Sequence, residues 1–260
     1  MMYQSLNAIG KWRASLTMFL LMVFLSTFAF SQERAGEAML IAADQRNNLP
    51  ADIAVTYRMT VKVSSGENRV MEFVMRQKGN KLRMIKFTSP DTLKGMGYLT
   101  TGPGVLFGVM PGDDKVTEFS ASAARQTIAG SDLILEDIYT MEYAPYYLAR
   151  HAGRDPGVAT LGLTVRPTTK RVYPSVEISM NPRTHVISKI IDYDSEGNKK
   201  RTILYEDYAP TKVTGFTLPR KITITGHDRQ NLETELVVVN RLINTGMSDD
   251  EFNTVALTRK

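Results

Sequence analysis

From residue 54 onward the hydrophobic period of this chain is two. In Ala54–Val63 the residues Val55, Tyr57, Met59, Val61 and Val63 alternate with Thr56, Arg58, Thr60 and Lys62. Successive side chains of a strand point to opposite faces, so the pattern describes a strand with one buried and one wet face. The run Arg69–Gln77 repeats it with Met71, Phe73 and Met75, and Lys81–Thr88 follows after Lys78-Gly79-Asn80. Shorter segments come next at Gly97–Thr101, Val105–Met110 and Lys115–Phe119, separated by Gly-Pro-Gly and by Pro111-Gly112-Asp113-Asp114. The pattern returns at Val158–Arg166, Val172–Met180, His185–Tyr193, Lys199–Tyr208, Thr217–Thr225 and Leu232–Leu242. Turn chemistry is clearest at Asn181-Pro182-Arg183-Thr184 and Asp194-Ser195-Glu196-Gly197. Eleven or twelve short strands joined by tight connections imply one antiparallel barrel or sandwich. No linker or composition shift divides residues 32–260, which are read as one domain.

Two stretches depart from this period. Glu33–Asn48 reads as an amphipathic helix with Ala38, Ile41, Ala42 and Gln45 on its apolar stripe, ended by Pro50. Ser131–His151 is predicted to be a helical insertion capped by Ser131, followed by acidic residues and interrupted by Pro145. The tail Ser248–Asn253 is expected to form one capped turn.

The first 31 residues carry an export signal. Met1–Arg13 is polar with two positive charges, Ala14–Phe30 is uncharged and mostly apolar, and Ala29-Phe30-Ser31 supplies small residues before Gln32. That order reads as a cleavable signal peptide; the competing reading is an uncleaved anchor. A bacterial periplasm is the compartment implied.

Composition removes several chemistries. With no cysteine the chain has no disulfide, no thiolate zinc site, no thiol nucleophile and no lipidated cysteine of its own. Thirty-two Lys and Arg stand against 27 Asp and Glu, too slight a surplus for a nucleic-acid binder. His151, His185 and His227 lie far apart, outside any metal-ligand spacing. Gly130-Ser131-Asp132 lacks the glycines of a nucleophile elbow. Glu136 and Asp137 are adjacent, so on a helix they diverge. No catalytic residue, metal site or cofactor is assigned. The abundance of methionine in the N-terminal strands suits either core filling or a surface for varied apolar partners.

From Arg76 onward the sequence resembles the outer-membrane lipoprotein-sorting (LolA-like) family of periplasmic proteins. The residues that carry the resemblance are Arg76, Lys78-Gly79, Arg83, Phe87-Thr88-Ser89-Pro90, Lys94-Gly95 and Leu99. They continue through Met110-Pro111, Lys115, Gly130-Ser131-Asp132 and Glu136-Asp137-Ile138, with looser agreement at Tyr193, Pro219 and Asp250-Glu251-Phe252. The resemblance implies a mainly β fold: a strongly curved antiparallel sheet of about eleven strands, an incomplete barrel with covering helices and a hydrophobic cavity. The covers would be residues 33–48 and 131–151. It further implies a non-enzymatic carrier of lipid acyl chains or lipoproteins, with an inner-membrane transporter as donor and an outer-membrane acceptor. The alternation then assigns the cavity lining to Val55, Tyr57, Met59 and Val61, to Met71, Phe73 and Met75, and to Leu82, Met84, Leu99, Leu106 and Phe107. Two rivals remain at this stage. One is a sensor or interaction module that uses the same sheet to bind a membrane protein. The other is an enzyme working through the Asp132 and Asp137 carboxylates.

Overall fold

The structure is a computed structural model that describes residues 32–63, 66–211, 216–228 and 232–259. The signal-peptide reading of residues 1–31 lies outside the described residues. Among those described, no helix is long and apolar enough to cross a membrane.

Among the described residues thirteen strands form one antiparallel sheet, most of them from the period-two segments. The first six are β1 (Asp52–Lys62), β2 (Arg69–Lys78), β3 (Leu82–Ser89), β4 (Gly97–Gly102), β5 (Val105–Val109) and β6 (Thr117–Glu118). The chain then crosses to the far edge and returns through β7 (Tyr147–Asp155), β8 (Val158–Val165), β9 (Ser175–Met180) and β10 (Ile187–Tyr193). It ends with β11 (Lys199–Pro210), β12 (Thr217–Gly226) and β13 (Glu233–Ile243). The spatial order is β6-β5-β4-β3-β2-β1-β13-β12-β11-β10-β9-β8-β7. Two meanders therefore meet at the centre, where β1 pairs with β13 from Ile53 opposite Ile243 to Lys62 opposite Glu233. The sheet curves but does not close, because β6 and β7 are its two ends.

Local chemistry sets the turns. Asn181 Oδ1 accepts from the amides of Arg183 and Thr184 between β9 and β10. Asp194 Oδ1 accepts from Glu196 and Asn198 between β10 and β11. Such Asx turns let a short side chain satisfy the amides that the strands leave unpaired. Gly79, at φ +56, gives the β2–β3 hairpin a left-handed residue that a side chain would strain.

The insertion differs from its expectation. Only α2 (Leu135–Tyr139) is helical, and Tyr147–His151 already belong to edge strand β7. The run Tyr-Leu-Ala-Arg-His carries no alternation of polarity, so its strand identity comes from pairing with β8 rather than from period. Ser131 is not the helix cap. Its buried hydroxyl donates to the Ile128 carbonyl and accepts from the Leu133 amide, which fixes the bend ahead of the helix. Asp137 closes the helix start instead by accepting from the Ile134 amide.

A helix over residues 32–47, α1, lies on the other half of the sheet. Its buried side is Gly36, Leu40, Ala43 and Asp44, whereas Ala38, Ile41 and Gln45 are exposed. The expected stripe was therefore on the wrong side, for a physical reason. Glu37 accepts from the Ala149 amide and pairs with Arg166, while Gly36 lies against the backbone of β7. Polar contacts and a close approach orient this helix more than its hydrophobic average does.

After β13 the chain leaves the sheet and Asp52 anchors it, accepting from the amides of Thr245 and Gly246. The tail forms a single turn over Asp249–Glu251, capped by Ser248, and then α3 (Thr254–Thr258). Phe252 and Leu257 pack on the outer face of the sheet against Met84, Leu99 and Val109. β3, β4 and β5 are thus covered on both faces.

Candidate functional site

Two apolar clusters fill the concave face. One gathers β1 to β5 around Ile128, Leu135 and Ile138 of the crossover. The other gathers β7 to β12 under Leu40 and Ala43 of α1. Leu133 and Ile222 pack against both. Where the clusters meet, the side chains leave a cavity of about 310 Å³ between the sheet, α1 and residues 133–143. That volume sits at the low end for small-molecule pockets.

Most of the cavity wall is apolar. Val55, Tyr57, Phe73 and Met75 come from the first half of the sheet, and Ile190, Ile203 and Ile222 from the second. Of the residues expected from the sequence, Val55, Tyr57, Phe73 and Met75 line this cavity. Met59, Val61, Met71 and Leu106 lie in the same inner cluster, packed among their neighbours away from the opening. Leu82, Met84, Leu99 and Phe107 belong to the opposite face, beneath the C-terminal tail. Both parities of β3 are apolar, Leu82 and Met84 as well as Ile85 and Phe87, so alternation alone could not say which one faces inward. The isoleucines of β10 to β12 are not among the residues expected from the sequence; the Ile222–Ile224 pair shows the period of two that could flag it, whereas Ile187 and Ile190 lie three apart across a shift in the β9–β10 register.

The covers are held by polar side chains from both halves of the sheet. Arg83 on β3 donates to the carbonyls of Asp137 (3.0 Å) and Ile138 (3.1 Å), two of the carbonyls that α2 leaves exposed. Its remaining N–H groups reach Gln77 Oε1 at 2.7 and 3.1 Å. From the other half, Arg201 on β11 grips the Asp137 carboxylate at both oxygens, 2.7 and 2.6 Å. It also donates to Asp192 Oδ2 at 2.5 Å and stacks on the Tyr173 ring at 4.9 Å. Glu136, on the opposite side of α2, accepts from the Val172 amide. Asp132 Oδ2 accepts from the Thr234 hydroxyl at 3.0 Å. The carboxylates that an enzyme reading would recruit are therefore engaged in holding the crossover. Among the described residues no group of His, Cys, Asp or Glu is placed to hold a metal ion.

Asp44 couples the two covers. Its carboxylate accepts from the amides of Tyr143 (2.9 Å) and Ala144 (2.8 Å), tying α1 to the end of the crossover. Burial pushes this carboxyl up to about 7 from 3.8, against the two amide bonds that favour its charge. The folded value lies above the unfolded one, so its contribution to stability is complete below about 4 and is lost as pH rises through 7. Denaturation midpoints should consequently fall between pH 5 and pH 8 more steeply for the wild type than for Asp44→Asn. Parallel pH profiles would show that Asp44 does not titrate in this window.

The architecture defines a class of protein by its fold, a curved and unclosed antiparallel sheet, and solved structures share that fold. An outer-membrane lipoprotein-sorting protein domain from Vibrio parahaemolyticus superposes with a TM-score of 0.77 at 19% identity, covering 87% of this chain and 100% of that one. A DUF1329 family protein from Desulfovibrio piger gives 0.79 at 19% identity, covering 87% and 99%. A LolA superfamily protein from Nitrosomonas europaea gives 0.71 at 17% identity, covering 84% and 97%. No curated protein matches by sequence. The fold is the LolA-like one that the sequence resemblance implied. A family profile described as that of an uncharacterised protein matches residues 79–259, and the chain belongs to that family.

Proposed function

We propose that the protein is a non-enzymatic periplasmic carrier that shelters acyl chains of lipoproteins or other lipids on their way to the outer membrane. The observation that carries this reading is the apolar cavity between the concave face and covers held by a few polar contacts. Burial of a methylene contributes about 0.8 kcal/mol, so ten buried methylenes correspond to about micromolar affinity before the cost of immobilising the chain. Separating α1 from residues 143–144 would admit and release the chain. An inner-membrane transporter as donor and an outer-membrane acceptor fit a carrier of this type.

Gentle native mass spectrometry with lipid extraction tests the reading first. Acyl species bound at defined stoichiometry are expected. A clean unliganded mass with no uptake of fluorescent fatty-acyl probes would move the reading to an interaction module. A filling variant, Val55→Phe with Ile222→Phe, should lower probe uptake at least tenfold while melting within a few degrees of the wild type. Undiminished uptake by the folded variant would remove the cavity from the mechanism.

A further inference from the structure

An apolar wall accounts for a hydrocarbon tail but leaves the charged residues of the lining unexplained. Three guanidinium groups line it: Arg46 from α1, Arg83 from β3 and Arg241 from β13. The one carboxylate among the described lining residues, Asp137, already has both oxygens held by Arg201. Among the described residues, none of the three arginines makes an ion pair. Their partners are neutral. Arg46 donates to the Thr217 carbonyl and hydroxyl at 2.9 and 3.1 Å, Arg83 to Gln77 and two helix carbonyls, and Arg241 to the Pro219 carbonyl. Arg241 Nε is buried with no hydrogen-bond partner among the described residues.

The placement of Arg241 is built by the backbone. Along β13, Leu236 and Val238 pack into the inner cluster. Strict alternation would then send Arg241 outward with Val239. Instead the pairing passes from Val238 opposite Tyr57 to Asn240 opposite Thr56, skipping Val239. This bulge reverses the alternation, places Arg241 opposite Val55 and leaves Leu242 exposed. Bulges commonly re-aim one side chain in this way. Burial draws the Arg83 guanidinium down to about 10, against the opposing charge of Asp137, and lowers Arg46 and Arg241 as well, so burial disfavours the charge of all three.

We propose that the cavity takes a single-chain anionic amphiphile, its tail against the Val55, Phe73 and Ile190 wall and its carboxylate or phosphate on Arg46, Arg83 and Arg241. This rests on the acyl-carrier reading and narrows its ligand. A cavity of about 310 Å³ suits one chain better than several. A charged acceptor also satisfies the Arg241 Nε that the described residues leave unpaired.

Titration of the delipidated protein with dodecanoate, dodecyl phosphate, dodecanol and inorganic phosphate tests the proposal. Both anionic chains should bind at least about tenfold more tightly than dodecanol, the range expected of charge-assisted hydrogen bonds. Arg241→Met and Arg46→Met should each reduce that preference by about fivefold or more, with a melting temperature within a few degrees of the wild type reporting that the fold is retained. Preference for the carboxylate alone would make the head a fatty acid's, and preference for the phosphate alone a phospholipid-type head. Equal binding of dodecanol and both anions, or a preference that survives both variants, overturns the anionic assignment and leaves the carrier reading standing. Failure of every chain to bind overturns both. Inorganic phosphate binding as tightly as dodecyl phosphate would make the site one for free anions and overturn the amphiphile.

Discussion

Replacing Arg201 by methionine is expected to lower stability by about 3–5 kcal/mol, the cost typical of removing one partner from a buried ion cluster. The guanidinium serves two carboxylates, Asp192 on the neighbouring strand and Asp137 on α2. Asp192 is 3% exposed, so without Arg201 it has no water to turn to. In a chain of this size such a loss corresponds to a fall in melting temperature on the order of 10 °C. The pH dependence gives the prediction a sign. Burial already pushes the Asp192 carboxyl above its ordinary value, and Arg201 opposes that shift. Removing Arg201 raises it further, so the variant's deficit should grow as pH rises through neutrality and shrink towards pH 5. Thermal melts at pH 5 and 7.5 measure this directly. A deficit below about 1 kcal/mol, or one that grows on acidification, would contradict the role assigned to Arg201. Adding Asp192→Leu to the variant should recover part of the loss, because the uncompensated charge is then gone.

The second large effect concerns the cover. A Cβ on Gly36 would stand 2.7 Å from the Ala149 carbonyl oxygen and 2.8 Å from the Arg150 carbonyl carbon. Both are backbone atoms of β7 that cannot swing aside, so Gly36→Val must lift the start of α1. The Glu37 bonds to Ala149 and Arg166 would go with it, and Leu40 would lose its burial. A loss of about 2–4 kcal/mol is expected, as for other overpacked sites with attendant lost contacts. Bound acyl probe should also exchange several-fold faster than in the wild type. Ala38→Val, on the exposed side of the same helix, is the control and should melt within about 0.5 kcal/mol of the wild type. Indistinguishable behaviour of the two valine variants would show that the close packing of α1 on β7 is not what holds the cover.

Several residues behind the family resemblance acquire physical roles here. Arg83 supports the exposed carbonyls of α2 while Asp137 caps its start and anchors it to Arg201. Ser131 fixes the bend before it, and Glu136 ties its far side to Val172. This cluster positions the crossover that roofs the cavity, so a spread of short motifs in sequence becomes one support in space.

The strands themselves were legible from residues because alternation and turn chemistry are local. Val55 to Val61 declare a half-buried strand, and Asn181 and Asp194 declare the hairpins beside it, whatever the rest of the chain does. β7 was not legible, since Tyr147–His151 shows no alternation and becomes a strand only through pairing with β8. Nor could alternation choose a face for β3, β4 and β5, where a C-terminal tail more than a hundred residues distant covers the outside. The buried side of α1 was set by Asp44 and Glu37 reaching amides of the crossover and β7, contacts that hydrophobic averaging does not register. Arg241 enters the cavity because the β1–β13 pairing skips one residue, and a register is a property of two strands together. The sequence by itself thus determined the mainly β architecture, most strand positions and the apolar character of the inner face, all consequences of near-neighbour periodicity. Only the tertiary structure decided which apolar residues meet across the cavity and which arginines face it, because inside and outside are defined by what the distant parts of the chain leave uncovered.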